Sequence, residues 1–347
     1  MLPKESQGLA LARGFIVFIM PAVHSVMMYS NDIVKAGWLG IALGFFAEQP
    51  GAQLFMLQMG LFIGMGKQKT LKTILKRFVL LLAAGYLLNL LRLVLPYLWG
   101  GVPDMFLVHN NLPDNKFTPL YLFLIGDILQ FAALGYLCCQ VVHRLIKSIY
   151  YRIFLLLAFV FISPLAWTSQ PDNVVPQFIF GLFNGHPPKV FFPFFPWVCY
   201  PLAGLIISQV WQRYHVFKIS LWFLISAGLV VTGMAISSIE PSEWNQNLYR
   251  LGPGGTIYHL GAAIAWMVLL IFLSFKIKLN TFFSFLEWLS LHITPIYFIQ
   301  WMVIMWMIPV FTYHGLNVTQ TLLAMIVSTM ISFCLASLFE KIKSRPT

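Results

Sequence analysis

RGFIVFIMPAVH, residues 13–24, is an apolar run that begins with a cation and ends with an imidazole. Arg13 and His24 are eleven residues apart. This is almost three helical turns, so a helix places both side chains on one face, about 16 Å apart along its axis. Ionisable side chains are costly inside a membrane helix and are functional candidates by default. Arg13 and His24 are therefore the first candidate site.

The composition indicates a polytopic membrane protein. Hydrophobic residues make up 59% of the 347 residues and charged residues only 10%, whereas about a quarter of the residues are charged in soluble domains. About 20 mostly apolar residues cross a bilayer as a helix. The sequence predicts an all-α bundle of about ten transmembrane helices, forming a single domain over residues 1–347 with no separate soluble domain. The predicted spans lie near residues 8–29, 46–66, 74–98, 118–141, 150–167, 192–211, 217–238, 256–275, 284–310 and 319–340.

The distribution of charge predicts an orientation. The formal net charge is +11, and most Lys and Arg residues fall in short clusters between alternate apolar runs. Cytoplasmic loops carry an excess of Lys and Arg, so both termini are expected in the cytoplasm. Nucleic acid is not an expected partner, because it would need basic residues gathered on a water-exposed surface. The longer loops, 100–117, 168–190 and 239–255, then fall outside and suit a polar, sugar-like ligand or are ordinary solvated loops.

His24 has several possible chemical roles. An imidazole can act as a general base, carry an acyl group or bind a metal. Metal is disfavoured because no second His, Cys or carboxylate lies three or four residues away, and a neutral histidine bonded to a backbone carbonyl is the structural alternative. His259 and His292 are candidates for lining a pathway, although single histidines on such helices are usually packing residues.

Other charged residues lie in or beside the predicted spans. Glu48, at the outer start of the second span, is expected to orient or deprotonate His24, with a solvated helix-entry carboxylate as the alternative. Asp127 lies near mid-membrane and needs a partner, for which Arg92 is one candidate. A structural ion pair is favoured over a catalytic role for Asp127.

A basic segment precedes the third span on the predicted cytoplasmic side. Its residues Lys72, Lys76 and Arg77 would meet the phosphates of a charged ligand, and Arg13 lies at the inner edge of the first span. The alternatives are topogenic charge alone for the segment and snorkelling to lipid headgroups for Arg13.

At these residues the chain resembles the membrane-bound acyltransferases of acyltransferase family 3. The first span of that family carries an Arg, ten intervening residues and a His, here Arg13 and His24, with Gly14 directly after the arginine. Other stretches are similar to the heparan-α-glucosaminide N-acetyltransferase type: FMLQMG (55–60), KRF (76–78), GDILQ (126–130) and FFPWVCYPLAG (194–204).

The resemblance implies transfer of an acyl group, usually acetyl, from cytoplasmic acyl-coenzyme A to a hydroxyl or amine of an extracytoplasmic glycan or glycolipid. It assigns acyl transfer to His24 and donor binding to Arg13. Lys72, Lys76 and Arg77 stand where family members often have an Arg-rich pattern, and Lys lacks the bidentate fork of Arg. The acceptor, the acyl chain and the choice between general base and acyl carrier at His24 stay open.

The expected partners are therefore acetyl-coenzyme A or another acyl-coenzyme A as donor substrate, an acceptor glycan, and the lipid bilayer. No metal is expected. We expect the membrane to be a bacterial inner membrane; the oligomeric state stays open, with a homodimer one option. Two other classes of function stay open. A secondary transporter or flippase for a polar or lipid-linked substrate would explain the intramembrane charges, and a scaffold in a glycan-assembly complex explains His24 poorly.

Overall fold

The computed structural model describes residues 3–167, 174–214, 218–277 and 280–343. Within these residues the chain forms helices and no strand, with isolated β-bridges between Ser30 and Leu316 and between Gly126 and Val190. The predicted all-α class is confirmed. Residues 168–173 of the second long loop lie outside the described residues.

The α-helices are α1 Pro3–Tyr29, α2 Asp32–Ala36, α3 Trp38–Phe46, α4 Ala52–Met65, α5 Leu71–Asn89, α6 Leu95–Leu98, α7 Asp104–His109, α8 Thr118–Leu124, α9 Ile128–Leu145, α10 Ile149–Ile162, α11 Val174–Asn184, α12 Phe194–Trp197, α13 Cys199–Tyr214, α14 Ile219–Ser237, α15 Pro253–Lys276, α16 Thr281–Leu291, α17 Ile293–Trp306, α18 Ile308–Phe311 and α19 Val318–Lys343. Two π-helical segments, Ala47–Gly51 and Leu90–Val94, and two 3-10 helices, Ser163–Trp167 and Ser242–Asn245, complete the described elements.

Most of the predicted spans are membrane-length helices. Among the described residues, 8 helical segments are long and apolar enough to cross a bilayer, and the bent pair α16 and α17 raises the number to 9 if it is one span. The sequence predicted about ten. The difference lies at residues 46–66, where the π-helical segment Ala47–Gly51 is followed by α4 of only 14 residues. That is shorter than the roughly 20 residues that cross a bilayer. The cytoplasmic placement of both termini stays a prediction.

Two of these helices present apolar side chains outward. Only 17% of the membrane-length window of α14 and 22% of that of α19 is buried inside the protein. Leu224 on α14 is 71% exposed and Met330 on α19 is 62% exposed. Continuous apolar surface of this kind is unfavourable in water. Both helices therefore suit contact with lipid.

The chain divides into two compact units. Unit 1 comprises Met1–Leu9, Glu48–Leu87 and Leu124–Phe275, and unit 2 comprises Ala10–Ala47, Leu88–Phe123 and Lys276–Thr347. The predicted site residues Arg13, His24, Arg92 and His292 belong to unit 2, and Glu48, Lys72, Lys76, Arg77, Asp127 and His259 belong to unit 1. The single domain over residues 1–347 stays a prediction.

In unit 1, α4 and α13 pack backbone against backbone. A Cβ atom on Gly60 would overlap the carbonyl oxygen of Pro201, and one on Gly204 would overlap that of Leu57. Small residues at such contacts let membrane helices approach closely without a hydrophobic driving force between them. The two glycines therefore set the spacing of this helix pair.

In unit 2, α1 lies along α16 and α17. Gly14 faces the backbone of Leu286 on α16, and the Tyr29 hydroxyl donates to the carbonyl of Ile304 on α17 at 2.7 Å. Along α16 the partner numbers fall as those of α1 rise, from Arg13–Ser290 to Phe18–Phe282, so α1 is antiparallel to α16. Along α17 they rise together, from His24–Trp301 to Tyr29–Ile304, so α1 follows the direction of α17. This arrangement brings the first span, which carries Arg13 and His24, against one continuous stretch of chain.

Candidate active site

Arg13 lies where α1 meets α16. Its Nε atom donates to the hydroxyl of Ser290 at 3.1 Å. Gly14 permits this contact, because a Cβ atom there would overlap the carbonyl oxygen of Leu286, one turn before Ser290. A hydrogen bond fixes the guanidinium against α16, whereas an arginine that only snorkels to headgroups needs no such partner.

His24 lies where α1 meets α17. Its imidazole is half-buried and stacks on the indole of Trp301, with ring centroids 4.1 Å apart and planes inclined by 29°. Aromatic rings in contact attract each other beyond the effect of the area that they bury. Arg13 and His24 are eleven residues apart on α1, and their partners Ser290 and Trp301 are also eleven residues apart along the chain. The two residues of α1 therefore contact α16 and α17 on either side of the bend between these helices.

Arg92 is the third charged residue of unit 2 near this point. It is 4% exposed and lies on the π-helical segment Leu90–Val94. Its guanidinium carbon lies 4.8 Å from the centroid of the Trp301 ring, and its Nη2 atom donates to the side chain of Asn89 at 3.0 Å. His24, Trp301 and Arg92 thus form one cluster, hereafter the Trp301 cluster.

Asp127 has a local structural role. It lies in unit 1, at the break between α8 and α9, where it is the N-cap of α9. Its carboxylate accepts from the backbone of Ile128 at 2.7 Å, and the Gln130 side chain accepts from the Asp127 backbone at 3.2 Å. The Gln130 backbone also donates to the Asp127 side chain, and this reciprocal pair is a capping box, which satisfies two of the unpaired donors at a helix start. The ion pair with Arg92 stays a prediction, since the contacts of Arg92 described above are with Asn89 and Trp301.

Glu48 and His259 are neighbours in unit 1. The imidazole of His259 hydrogen-bonds the backbone of Glu48, and the Gln53 side chain donates to the Glu48 carbonyl at 2.8 Å. His259 also lines a shallow open pocket of about 390 Å³ with Asn245 and Tyr258. The bond to backbone is what a packing histidine makes. The predicted action of Glu48 on His24 remains a prediction.

The basic residues Lys72, Lys76 and Arg77 occupy the first two turns of α5 in unit 1. All three are exposed, and the guanidinium of Arg77 lies 5.3 Å from the centroid of the Tyr136 ring. Exposed cations at a helix start can meet phosphate oxygens without first breaking a buried ion pair. Their action together with Arg13 remains a prediction.

His292 lies in the break between α16 and α17. Its Nδ1 atom lies 2.8 Å from the carbonyl oxygen of Trp288, and its Nε2 atom lies 3.7 Å from a carboxylate oxygen of Glu340 on α19. Both ring nitrogens therefore have protein partners. These contacts favour a structural role for His292 at the bend over the pathway-lining role.

Sequence reasoning did not single out Ser290, Trp301 or Asn89. Ser290 and Trp301 are each 277 residues from the partner they contact on α1, so no local spacing connects them. Asn89 is fully buried beside Arg92. The two residues are three positions apart in the sequence, and this spacing could have indicated their contact on one helix face. Buried polar residues inside a predicted span are hypotheses for functional sites in their own right.

Membrane-length helices around a half-buried imidazole and two bonded arginines define the class: a polytopic membrane protein with an intramembrane polar site. Among the described residues, no group of three His, Cys, Asp or Glu side chains is arranged to hold a metal ion. The chain belongs to the acyltransferase 3 family, because the family model described as an acyltransferase domain matches residues 6–340. No curated protein and no solved structure matches it.

Membership covers both structural units. It makes the chain a multi-pass integral membrane protein and implies an acyltransferase enzyme that acts on an acyl donor and an acceptor. The match favours an enzyme over the transporter, flippase or scaffold.

Proposed function

We propose that this protein transfers an acyl group, in the first instance acetyl, from cytoplasmic acyl-coenzyme A to a hydroxyl or amine of an extracytoplasmic glycan or glycolipid. The family match over residues 6–340 is the observation that carries the proposal. The proposed location is the inner membrane of a bacterium. The sidedness follows from the predicted cytoplasmic termini, with Arg13 near the inner edge and His24 toward the outer side.

His24 is the proposed catalytic residue. As a general base it takes the proton from the acceptor O–H or N–H while that atom attacks the thioester carbonyl; the C–S bond breaks and coenzyme A leaves as a thiolate that takes up a proton. As an acyl carrier it attacks the thioester itself, releases coenzyme A and passes the acyl group to the acceptor in a second step. Both routes need a neutral imidazole held near the thioester.

Arg13 is the proposed donor-binding residue of unit 2, and Lys72, Lys76 and Arg77 are those of unit 1. Cationic side chains bind phosphate through charge-assisted hydrogen bonds, and Arg does so in a bidentate fork that Lys cannot form. The fixed orientation of Arg13 through Ser290 supports its role, since a preorganised donor loses less side-chain entropy on binding.

The test uses the full chain in lipid nanodiscs with radiolabelled acetyl-coenzyme A. Membranes from a strain that lacks the gene supply the acceptor. We expect His24→Ala to abolish label transfer while His143→Ala, at a half-buried histidine near the end of α9 and outside the proposed site, transfers at the wild-type rate. A folded His24→Ala protein that transfers label at the wild-type rate would refute the proposal.

The same material separates the two routes. Without acceptor, an acyl carrier retains label on the protein in an amount that His24→Ala removes, whereas a general base retains none. Donor binding is tested by thermal stabilisation with acetyl-coenzyme A. We expect Arg13→Gln and Lys76→Gln each to weaken the stabilisation, since each removes a phosphate contact.

A further inference from the structure

The Trp301 cluster contains more than is needed to pack one histidine. The His24 imidazole stacks on the Trp301 indole with centroids 4.1 Å apart, and the Arg92 guanidinium carbon lies 4.8 Å from the centroid of the same ring. A cation over an indole is the strongest of the cation–π pairs, and the attraction increases when both groups are desolvated. Trp301 is therefore held by two partners, one on α1 and one on the π-helical segment Leu90–Val94.

Arg92 is itself fixed in place. Asn89 accepts a hydrogen bond from the guanidinium at 3.0 Å and donates its own amide to the carbonyl of Phe123 at 3.0 Å. Both Asn89 and Arg92 are buried. An arginine in the membrane interior is costly and stays only where its bonds offset the cost or where it has a function. A π-helical segment, as found here, often marks a functional site.

A stacked ring has fewer orientations than an isolated one. For catalysis, one nitrogen of the His24 imidazole must point at the reacting atoms. Rotation of the side chain about its χ angles would turn this nitrogen away from them. The flat indole face restricts the tilt of the ring, while Arg92 and Asn89 restrict the indole in turn. The chain of contacts runs from the Phe123 backbone through Asn89, Arg92 and Trp301 to His24.

We propose that Trp301 and Arg92 are positioning residues for His24: Trp301 sets the plane of the imidazole by stacking, and Arg92 holds Trp301 by its cation–π contact. This inference rests on the proposed function of His24. Neither residue is assigned a contact with the donor, so their loss lowers kcat and leaves the KM for acetyl-coenzyme A unchanged.

The experiment compares kcat and KM for graded variants of the full chain in nanodiscs. We expect Trp301→Leu to lower kcat by about 10- to 100-fold, since a misplacement of ~1 Å of a reacting group costs up to about 10²-fold. Trp301→Phe retains a flat ring and is expected to recover most of that loss. Arg92→Gln is expected to lower kcat, and Arg92→Lys, which keeps the cation, to recover part of it.

Trp306→Leu is the matched control. Trp306 is on the same helix and also contacts the Leu90–Val94 segment, since its indole nitrogen donates to the Leu91 carbonyl at 2.8 Å. It packs on Trp99, with ring centroids 4.7 Å apart. Its loss should lower thermal stability and leave kcat at the wild-type value.

Three outcomes decide the matter. If His24→Ala is inactive and Trp301→Leu keeps the wild-type kcat, the positioning inference is wrong and the proposed function stands. If folded His24→Ala is fully active, both are wrong. If Trp301→Leu and Trp301→Phe do not fold, the Arg92 pair decides: a lower kcat for Arg92→Gln than for Arg92→Lys supports positioning, and equal values overturn it.

Discussion

Gly14→Ala tests whether the contact between α1 and α16 sets the position of Arg13. A Cβ atom at residue 14 would overlap the carbonyl oxygen of Leu286, whereas a carbon atom and a carbonyl oxygen in contact normally lie about 3.3–3.6 Å apart. Both atoms belong to helix backbone, so a side-chain rotation cannot relieve the overlap. The two helices must therefore move apart by about 1 Å or more.

The expected cost has two parts. Overpacking a well-packed contact destabilises by roughly 1–3 kcal/mol. Separation of the helices also lengthens the Arg13–Ser290 hydrogen bond, now 3.1 Å, and a hydrogen bond to a charged group contributes about 1.5–3 kcal/mol. We expect Gly14→Ala to lower the free energy of unfolding by an amount in the upper part of these ranges and to raise the KM for acetyl-coenzyme A.

The assay is thermal unfolding in detergent, followed by steady-state kinetics in nanodiscs. Gly44→Ala is the matched control, because Gly44 also lies in a helix of unit 2 and a Cβ atom there meets nothing within 4 Å. Ser290→Ala removes the hydrogen bond alone and should raise KM with a smaller loss of stability. A Gly14→Ala protein as stable as Gly44→Ala, with an unchanged KM, would refute this reasoning.

Three further predictions concern polar side chains other than Arg13 and His24. Gln300 is fully buried and its amide atoms make no hydrogen bond to any described residue, so Gln300→Leu should raise stability by about 1–3 kcal/mol; a lower Tm would contradict this. Burial first, then the charges of Lys35 and His109, lower the pKa of His314 to about 4 from 6.5. Because the unfolded chain takes up a proton at a higher pH than the folded chain, stability should fall as pH drops from about 6.5 to 4, and His314→Gln should show a flatter denaturation profile over that range. Asp127→Ala should cost about 1 kcal/mol of stability through loss of the α9 N-cap, while Asp127→Asn should keep most of it, as measured by Tm at neutral pH.

The membrane helices were readable from the sequence because their signal is local. A run of about 20 apolar residues predicts a membrane-spanning helix, whichever other helices it packs against. Residues 46–66 also form an apolar run of this length, but they fold as the π-helical segment Ala47–Gly51 followed by the short helix α4. Hydropathy alone could not show this, because it does not report where a helix begins and ends. At Asp127 the sequence did carry a local signal: Asp127 and Gln130 have the spacing of a capping box, which identifies a helix start within the predicted span 118–141.

The site was predictable only where its residues share one helix. Arg13 and His24 could be paired from their spacing on α1. Trp301 could not be assigned to His24, because the contact joins segments 277 residues apart and an indole in an apolar helix is unremarkable by itself. The sequence shows that Arg92 lies inside a predicted span, where a charge is energetically costly. Its contacts with Asn89 and Trp301 depend on tertiary packing, which the periodicity of the sequence does not encode.

The contacts of α1 with α16 and α17 limit how the length of the first span can vary. One residue inserted between Arg13 and His24 would turn His24 by about 100° around the axis of α1 and advance it about 1.5 Å. His24 would then leave Trp301 while Arg13 stayed with Ser290. The ten-residue interval of the first span is thus constrained by contacts near the far end of the chain, on both sides of the bend between α16 and α17.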